Sequence, residues 1–197
     1  MISLKIKTYL LMLMMIMGGF GMVSCGGDET PKPRAYFRID LPKKEYRSFD
    51  TTYPYQFEYP IYARISPKKN PANNPFWLNL EFPAYKGTLH ISYMQLNGNL
   101  DELMQDTRDL VNKHIPKSNG IDEILIQNPA ARVYGTLYDI RGNDAASPYQ
   151  FCITDSTRHF LRGALYFNVK PNNDSLSPVI DFLRKDIDHL IESFRWK

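Results

Sequence analysis

The stretch YQFCITDSTRHFLRGALYFNVKPNNDSLSPVIDFLRKDIDHLIESFRWK, residues 149 to 197, sets out the fold of this chain in outline. Two β-prone runs, Tyr149 to Thr154 and Phe160 to Val169, flank Asp155-Ser156-Thr157-Arg158, a tetrad with the turn chemistry of a hairpin loop. In the second run Leu161, Leu165, Phe167 and Val169 share one face and Arg162 and Tyr166 the other, the pattern of an antiparallel strand in a sheet covered on one side. A helix follows. Ser177 is placed to cap it and Pro178 suits its first position, while Val179, Ile180, Leu183, Ile187, Leu190, Ile191 and Phe194 form one apolar stripe. Asp181, Arg184, Lys185, Asp188 and Glu192 fall opposite, as a solvated face. Strands followed by a one-sided helix predict an α+β domain, a central and mostly antiparallel β-sheet flanked by helices.

Working upstream, the same alternation predicts strands over roughly Ile121 to Gln127 and Arg132 to Ile140. Asn99 precedes an amphipathic helix through Leu100, Leu103, Met104, Thr107, Leu110, Val111 and His114, with Glu102 completing a capping box and Pro116 ending the helix. Phe76, Leu78, Leu80 and Phe82 alternate with Trp77, Asn79 and Glu81, and Leu89, Ile91 and Tyr93 alternate with His90 and Ser92, which predicts two half-buried strands. Between them and the N-terminus, KKNPANNP at 68–75 reads as a loop.

The N-terminus has another logic. Lys5 and Lys7 precede an uncharged run from Thr8 to Ser24 that contains Leu10, Leu11, Leu13 and Ile16, the charged and apolar regions of an export signal. The run is shorter than a membrane span and broken by Gly18, Gly19 and Gly21. Met22-Val23-Ser24-Cys25 resembles a lipobox, the small-residue motif before a cysteine that is acylated on its sulfur and, after cleavage, on its amine. Met22 stands where leucine is commonest. Cys25 is then the lipid attachment site, and two or more acyl chains hold a protein stably on a membrane. Residues 1–24 are expected to be a lipoprotein signal peptide, 25–34 (CGGDETPKPR) a lipidated tether, and 35–197 a single α+β domain.

Composition narrows the function. Lys5 and Lys7 supply two of the three excess positive charges, so the mature surface is near neutral and lacks the basic footprint of a nucleic-acid binder. Besides Cys25 the chain has only Cys152, which excludes an intramolecular disulfide and a cysteine-based zinc site in the mature domain. His90, His114, His159 and His189 are scattered without metal-ligand spacing, and no phosphate-cradling glycine loop is present. No metal and no cofactor is expected.

Asp155, Ser156 and His159 contain the residue types of a serine-nucleophile triad, but around one turn they seldom aim at one another, and no Gly-x-Ser-x-Gly elbow accompanies them. Capping of the turn by Asp155 and Ser156 is the preferred reading. The segment RAYFRIDLP at 34–42 alternates charged and apolar residues. It reads as an edge strand with Arg38 and Asp40 outward, or as the place where a partner strand docks through Tyr36, Arg38 and Asp40; the charges favour a protected edge. Trp77, on the polar side of its strand, is the first candidate for a sugar-binding ring.

The segments TPKPRAYFRIDLP, YPYQFEYP, ASPYQF, TDSTRHFLRGALYF and DFLRKDIDHLIESFRWK, together with the lipobox, resemble the gliding-motility lipoprotein GldD family of Bacteroidota. The resemblance implies a membrane-tethered accessory of gliding and of the type IX secretion system, with no catalytic residues to carry over and only the lipid-bearing cysteine, Cys25, transferred. A fainter likeness of the C-terminal strands and helix to PsbP/Mog1-type sandwiches adds to the expectation of a helix-flanked antiparallel sheet. The expected protein is thus a non-enzymatic lipoprotein of the cell envelope. It would be lipid-anchored to a membrane, periplasm-facing, and bound to gliding motility and type IX secretion envelope proteins. An envelope hydrolase or a glycan-binding lipoprotein is the alternative.

Overall fold

A computed structural model describes residues 39–67 and 75–197 of the chain. Seven strands make the main sheet: β3 (Arg64–Pro67), β4 (Leu78–Phe82), β5 (Gly87–Gln95), β6 (Gly120–Asn128), β7 (Val133–Arg141), β8 (Tyr149–Thr154) and β9 (His159–Phe167). Their spatial order is β3-β4-β5-β9-β8-β7-β6, and every neighbouring pair is antiparallel. A second, three-stranded sheet holds β1 (Tyr46–Phe49), β2 (Tyr55–Pro60) and the short β10 (Arg195–Trp196). Helices α1 (Leu100–Asn112) and α2 (Asn173–Ser193) complete the α+β architecture.

One face of the main sheet packs on α2 and the small sheet. Leu78, Leu80, Leu89, Ile91, Phe151, Ile153, Leu161 and Leu165 meet Leu183, Ile187, Leu190 and Phe194 of the C-terminal segment and Tyr55 and Phe57 of β2 in one buried cluster. Aromatic rings stack through it, with Phe57 and Phe194 nearly parallel at 6.5 Å. The opposite face carries a smaller cluster in which Val111 of α1 packs with Tyr138, Ile140, Cys152 and Phe160. The one-sided cover expected for the sheet is therefore corrected. At β7 to β9 both faces are covered, and all six residues of β8 are buried. A strand covered on both faces need not alternate.

The close fit at this centre explains a glycine. A Cβ on Gly163 of β9 would lie 2.2 Å from the ring of Phe151, directly across the ladder on β8. The ring occupies the space a side chain would need.

Helix α2 starts earlier than its sequence suggests. Ser177 does not cap it and Pro178 is inside it; the cap is Asn172, whose side chain accepts from the Ser175 N–H. Asn173 donates its side-chain amide to the carbonyls of Gly142 and Ala145, and its backbone N–H goes to Asn143. This docking on the β7–β8 loop stabilises an extra turn despite the proline. Asn99 does precede α1, but its side chain accepts from the Asn97 N–H and not from the helix. Pro116 lies in a 3-10 turn just after α1. Phe76 and Trp77 sit in the turn before β4 and lean on the core, and Val169 lies exposed beyond the end of β9.

Candidate functional site

The β8–β9 turn is built by Asp155. One carboxylate oxygen accepts from the backbone N–H groups of Thr157, Arg158 and His159, at 3.0, 2.8 and 2.8 Å, and the other accepts from the Thr157 hydroxyl. Burial works to raise the Asp155 pKa, but these donors outweigh it and hold the group well below the usual carboxylate range. Ser156 is exposed with φ at +67°, the left-handed conformation of a tight turn. The ring of His159 turns away from Asp155: Nδ1 bonds the hydroxyl of Tyr93 at 2.8 Å and the ring stacks on Trp196. Burial lowers the His159 pKa and favours the neutral imidazole. The carboxylate thus serves the turn and not the imidazole, so the capping reading holds for Asp155 but not for Ser156, whose backbone N–H donates to the Thr154 hydroxyl, and the triad geometry is not assembled.

A second polar cluster, which sequence reasoning missed, joins the N-terminal segment to α2. Asp186, almost fully buried, accepts from the hydroxyls of Tyr46 and Tyr62 and pairs with Lys44. Lys44 also donates to Tyr62 and to the Phe182 carbonyl, and its ammonium lies 3.2 Å from the centre of the Phe182 ring. Its pKa is lowered by burial, against the pull of Asp186, while Tyr46 is pushed up to about 12 by burial and by the same carboxylate. Next to it His189 stacks on Tyr46 and contacts Glu58 at 2.7 Å. The solvated face of α2 holds at Asp181, Lys185 and Glu192, which are exposed, and is corrected at two positions: Arg184 pairs with Asp139 of β7 and Asp188 accepts from Tyr149 of β8, so both are half-buried. Polar residues of the helix thus reach both sheets, Asp186 and His189 the small one and Arg184 and Asp188 the main one.

On the α1 side of the main sheet, Arg162 is half-buried and donates to Gln150, while the Arg162 Nε and Gln150 Nε2 are buried without a hydrogen-bond partner among the described residues. His90 meets Asn79 at 2.7 Å and lies 5.7 Å from the ring of Tyr166. Cys152 is buried beside Met104, and burial pushes its thiol pKa up, which makes it unreactive. Among the described residues no group of three or more His, Cys, Asp or Glu side chains is placed to hold a metal ion.

The residues singled out from sequence are not brought together. Cys25, Tyr36 and Arg38 lie outside the described residues, as does the loop at 68–74. Asp40 is described; residues 39–45, which include it, form no strand, so the edge-strand reading fails for the described part of 34–42. There the chain is fastened by the Lys44 side chain instead of by a ladder. Trp77 is half-buried against the core and donates its ring N–H to the Tyr93 carbonyl at 2.6 Å.

The least satisfied surface is a sheet edge. Strand β6 ends the main sheet, runs nine residues without proline, lysine or arginine, and exposes Ile124 and Leu125 at 52% and 69%. The other edges are guarded: β3 has four residues with Arg64 and Pro67, and β1 has four with Arg47. Short length, charge and proline are the usual defences of an edge; β6 is long and free of proline, and its only charges, Asp122 and Glu123, precede the exposed Ile124 and Leu125. The sequence signal was present in GIDEILIQN, where three consecutive apolar residues, Ile124 to Ile126, break the alternation.

These features define an α+β domain whose most exposed large apolar residue, Leu125, sits beside the exposed Ile124 on an edge strand. The family model for the gliding motility lipoprotein GldD matches residues 26–196, and the chain belongs to that family. Membership makes it a lipoprotein of gliding motility, held at a membrane of the cell envelope. No helix among the described residues is long and apolar enough to cross a membrane. A comparison with curated proteins found no match. Among solved structures, cyanobacterial PsbP from Synechocystis is similar over 89% of this chain and 99% of its own, at 12% identity and a TM-score of 0.48.

Proposed function

We propose that this lipoprotein is a non-enzymatic accessory of the gliding motility and type IX secretion machinery. It would hold a periplasm-facing domain at the membrane and work by contact with envelope proteins. The observation that carries this reading is the unguarded β6 edge, with Ile124 and Leu125 exposed on a domain of otherwise defended edges. An apolar edge left open in this way is a surface for contact. Anchoring through Cys25 would confine the domain to a thin layer, so that a weak contact suffices.

The test is in-cell cross-linking of the tagged, lipidated protein, with mass spectrometry of what co-purifies and Cys25→Ser as the control. Gliding and type IX secretion components are expected, and their recovery depends on Cys25. Their absence from a correctly anchored protein overturns the reading and returns the hydrolase and glycan alternatives.

A further inference from the structure

We infer that β6 takes an added strand, contributed by an extended segment of a partner protein that carries a basic residue beside two consecutive apolar ones. The inference rests on the proposed contact function and specifies its surface and the chemistry of its partner.

The argument begins with what the edge offers. An edge strand presents a row of backbone N–H and C=O groups, and an extended peptide that pairs with them gains affinity from the main chain and specificity from alternate side chains. Among the described residues strand β6 pairs on one side only, with β7, over its full length from Gly120↔Arg141 to Asn128↔Val133. Nine residues of free edge is ample for such pairing, since typical strands are about 5–6 residues.

Side chains then select the occupant. Asp122 is already neutralised by Arg141 at 2.8 Å. Glu123 has no ion-pair partner among the described residues, and its neighbours Ile124 and Leu125 are the two most exposed apolar residues of the strand. Residues directly opposite across a ladder interact, and opposite charges there are favourable whereas like charges are not. An incoming strand with Lys or Arg opposite Glu123 and apolar residues opposite Ile124 and Leu125 matches every exposed group. Because Ile124 and Leu125 point to opposite faces, two consecutive apolar residues are needed.

A second copy of this chain fits worse. Strand β6 has two acidic residues and no basic one, so antiparallel pairing with itself sets Glu123 against an acidic residue, Asp122 or another Glu123, or against an uncharged one. Nothing within the pair would neutralise it. The arrangement therefore favours a different chain with the complementary charge.

The test uses the full lipidated protein in its native cells. A benzophenone amino acid is placed at Gln127 on β6, and separately at Ile61 and Lys185, which are exposed elsewhere. The three positions are compared with and without the double substitution Ile124→Lys and Leu125→Lys. Both residues are exposed, so the fold should survive, and thermal melting of the variant checks this. The expected result is a cross-link from Gln127 to one segment with a basic residue beside two apolar ones, at least tenfold weaker in the double variant, with the other two positions unaffected. A cross-link to another copy of this chain overturns the inference, as does one that persists in the double variant. Cross-links from Ile61 or Lys185 alone overturn it while leaving the contact function standing. Silence at all three positions overturns both.

Discussion

Nζ of Lys44 lies 2.8 Å from Oδ2 of Asp186 and 2.8 Å from the Phe182 carbonyl oxygen, which fastens the entering chain to the middle of the C-terminal helix. Asp186 is the hub, since Tyr46 and Tyr62 donate to the same carboxylate. Its removal leaves a half-buried ammonium and two hydroxyls without their acceptor. Breaking one side of a buried ion pair costs about 3–5 kcal/mol. Asp186→Ala should lower stability by an amount in that range, and Asp186→Asn, which keeps one acceptor oxygen, by less. Urea denaturation of the unlipidated Cys25→Ser domain measures both; equal, small losses would show the hub to be unimportant.

Buried tyrosines, Tyr46 and Tyr62 of this cluster among them, set the response to alkali. Burial raises Tyr62, Tyr55 and Tyr149 well above the usual phenol value of 10.0, and Tyr46 to about 12. Between pH 10 and about 12 the unfolded chain therefore binds fewer protons than the folded one, and stability falls as pH rises. Lys44 acts in the opposite sense, because its folded pKa lies below 10.5 and the unfolded chain holds that proton longer. One lysine does not offset four tyrosines. The melting temperature should drop steadily above pH 10, with the buried phenols ionising only as the fold is lost, which absorbance near 295 nm reports. Early ionisation of all tyrosines in a folded domain would contradict this.

Strands β4 to β9 were legible in their β-prone, mostly alternating runs: Tyr149–Thr154 appears in the structure as it reads in the sequence, and β6, β7 and β9 differ only at their ends, whereas strands β1, β2, β3 and β10 were not read. The start of α2 was not legible, because Asn173, next to the Asn172 cap, is held there by the distant carbonyls of residues 142 and 145. Local cap rules favoured Ser177-Pro178, and tertiary bonds overrode them. Asp186 was equally hidden, since one carboxylate in a charged helix looks solvated until Lys44, 142 positions earlier, is folded against it. The turn at Asp155 was readable because its bonds reach only four residues.

That turn makes an acid-side prediction. Asp155 is buried and accepts three backbone N–H groups and a hydroxyl. Hydrogen bonds to a charged group contribute about 1.5–3 kcal/mol each at most, and donors left buried without a partner cost about 1–3 kcal/mol. Asp155→Ala should therefore destabilise the domain by about 2–4 kcal/mol at neutral pH. The folded pKa is depressed, so this stabilisation is present above the unfolded value of 3.8 and fades as pH falls below it. The gap between the two proteins should narrow in acid. A gap that stays constant to pH 2 would show that the charge is not what the turn uses.

Gly163 tests the packing of the sheet centre. Its missing side chain makes room for the ring of Phe151, 2.2 Å from where a Cβ would stand. Both neighbours are fully enclosed between the two hydrophobic clusters, so the ring has little space into which to retreat. Overpacking of this kind costs about 1–3 kcal/mol, and Gly163→Ala should show it, although alanine would ordinarily suit a strand no worse than glycine. Phe151→Leu removes the clash. In the double variant the penalty of the alanine should shrink, giving a coupling energy of about 0.5–3 kcal/mol in a double-mutant cycle. Additive losses would mean that the two residues do not share the space the structure gives them.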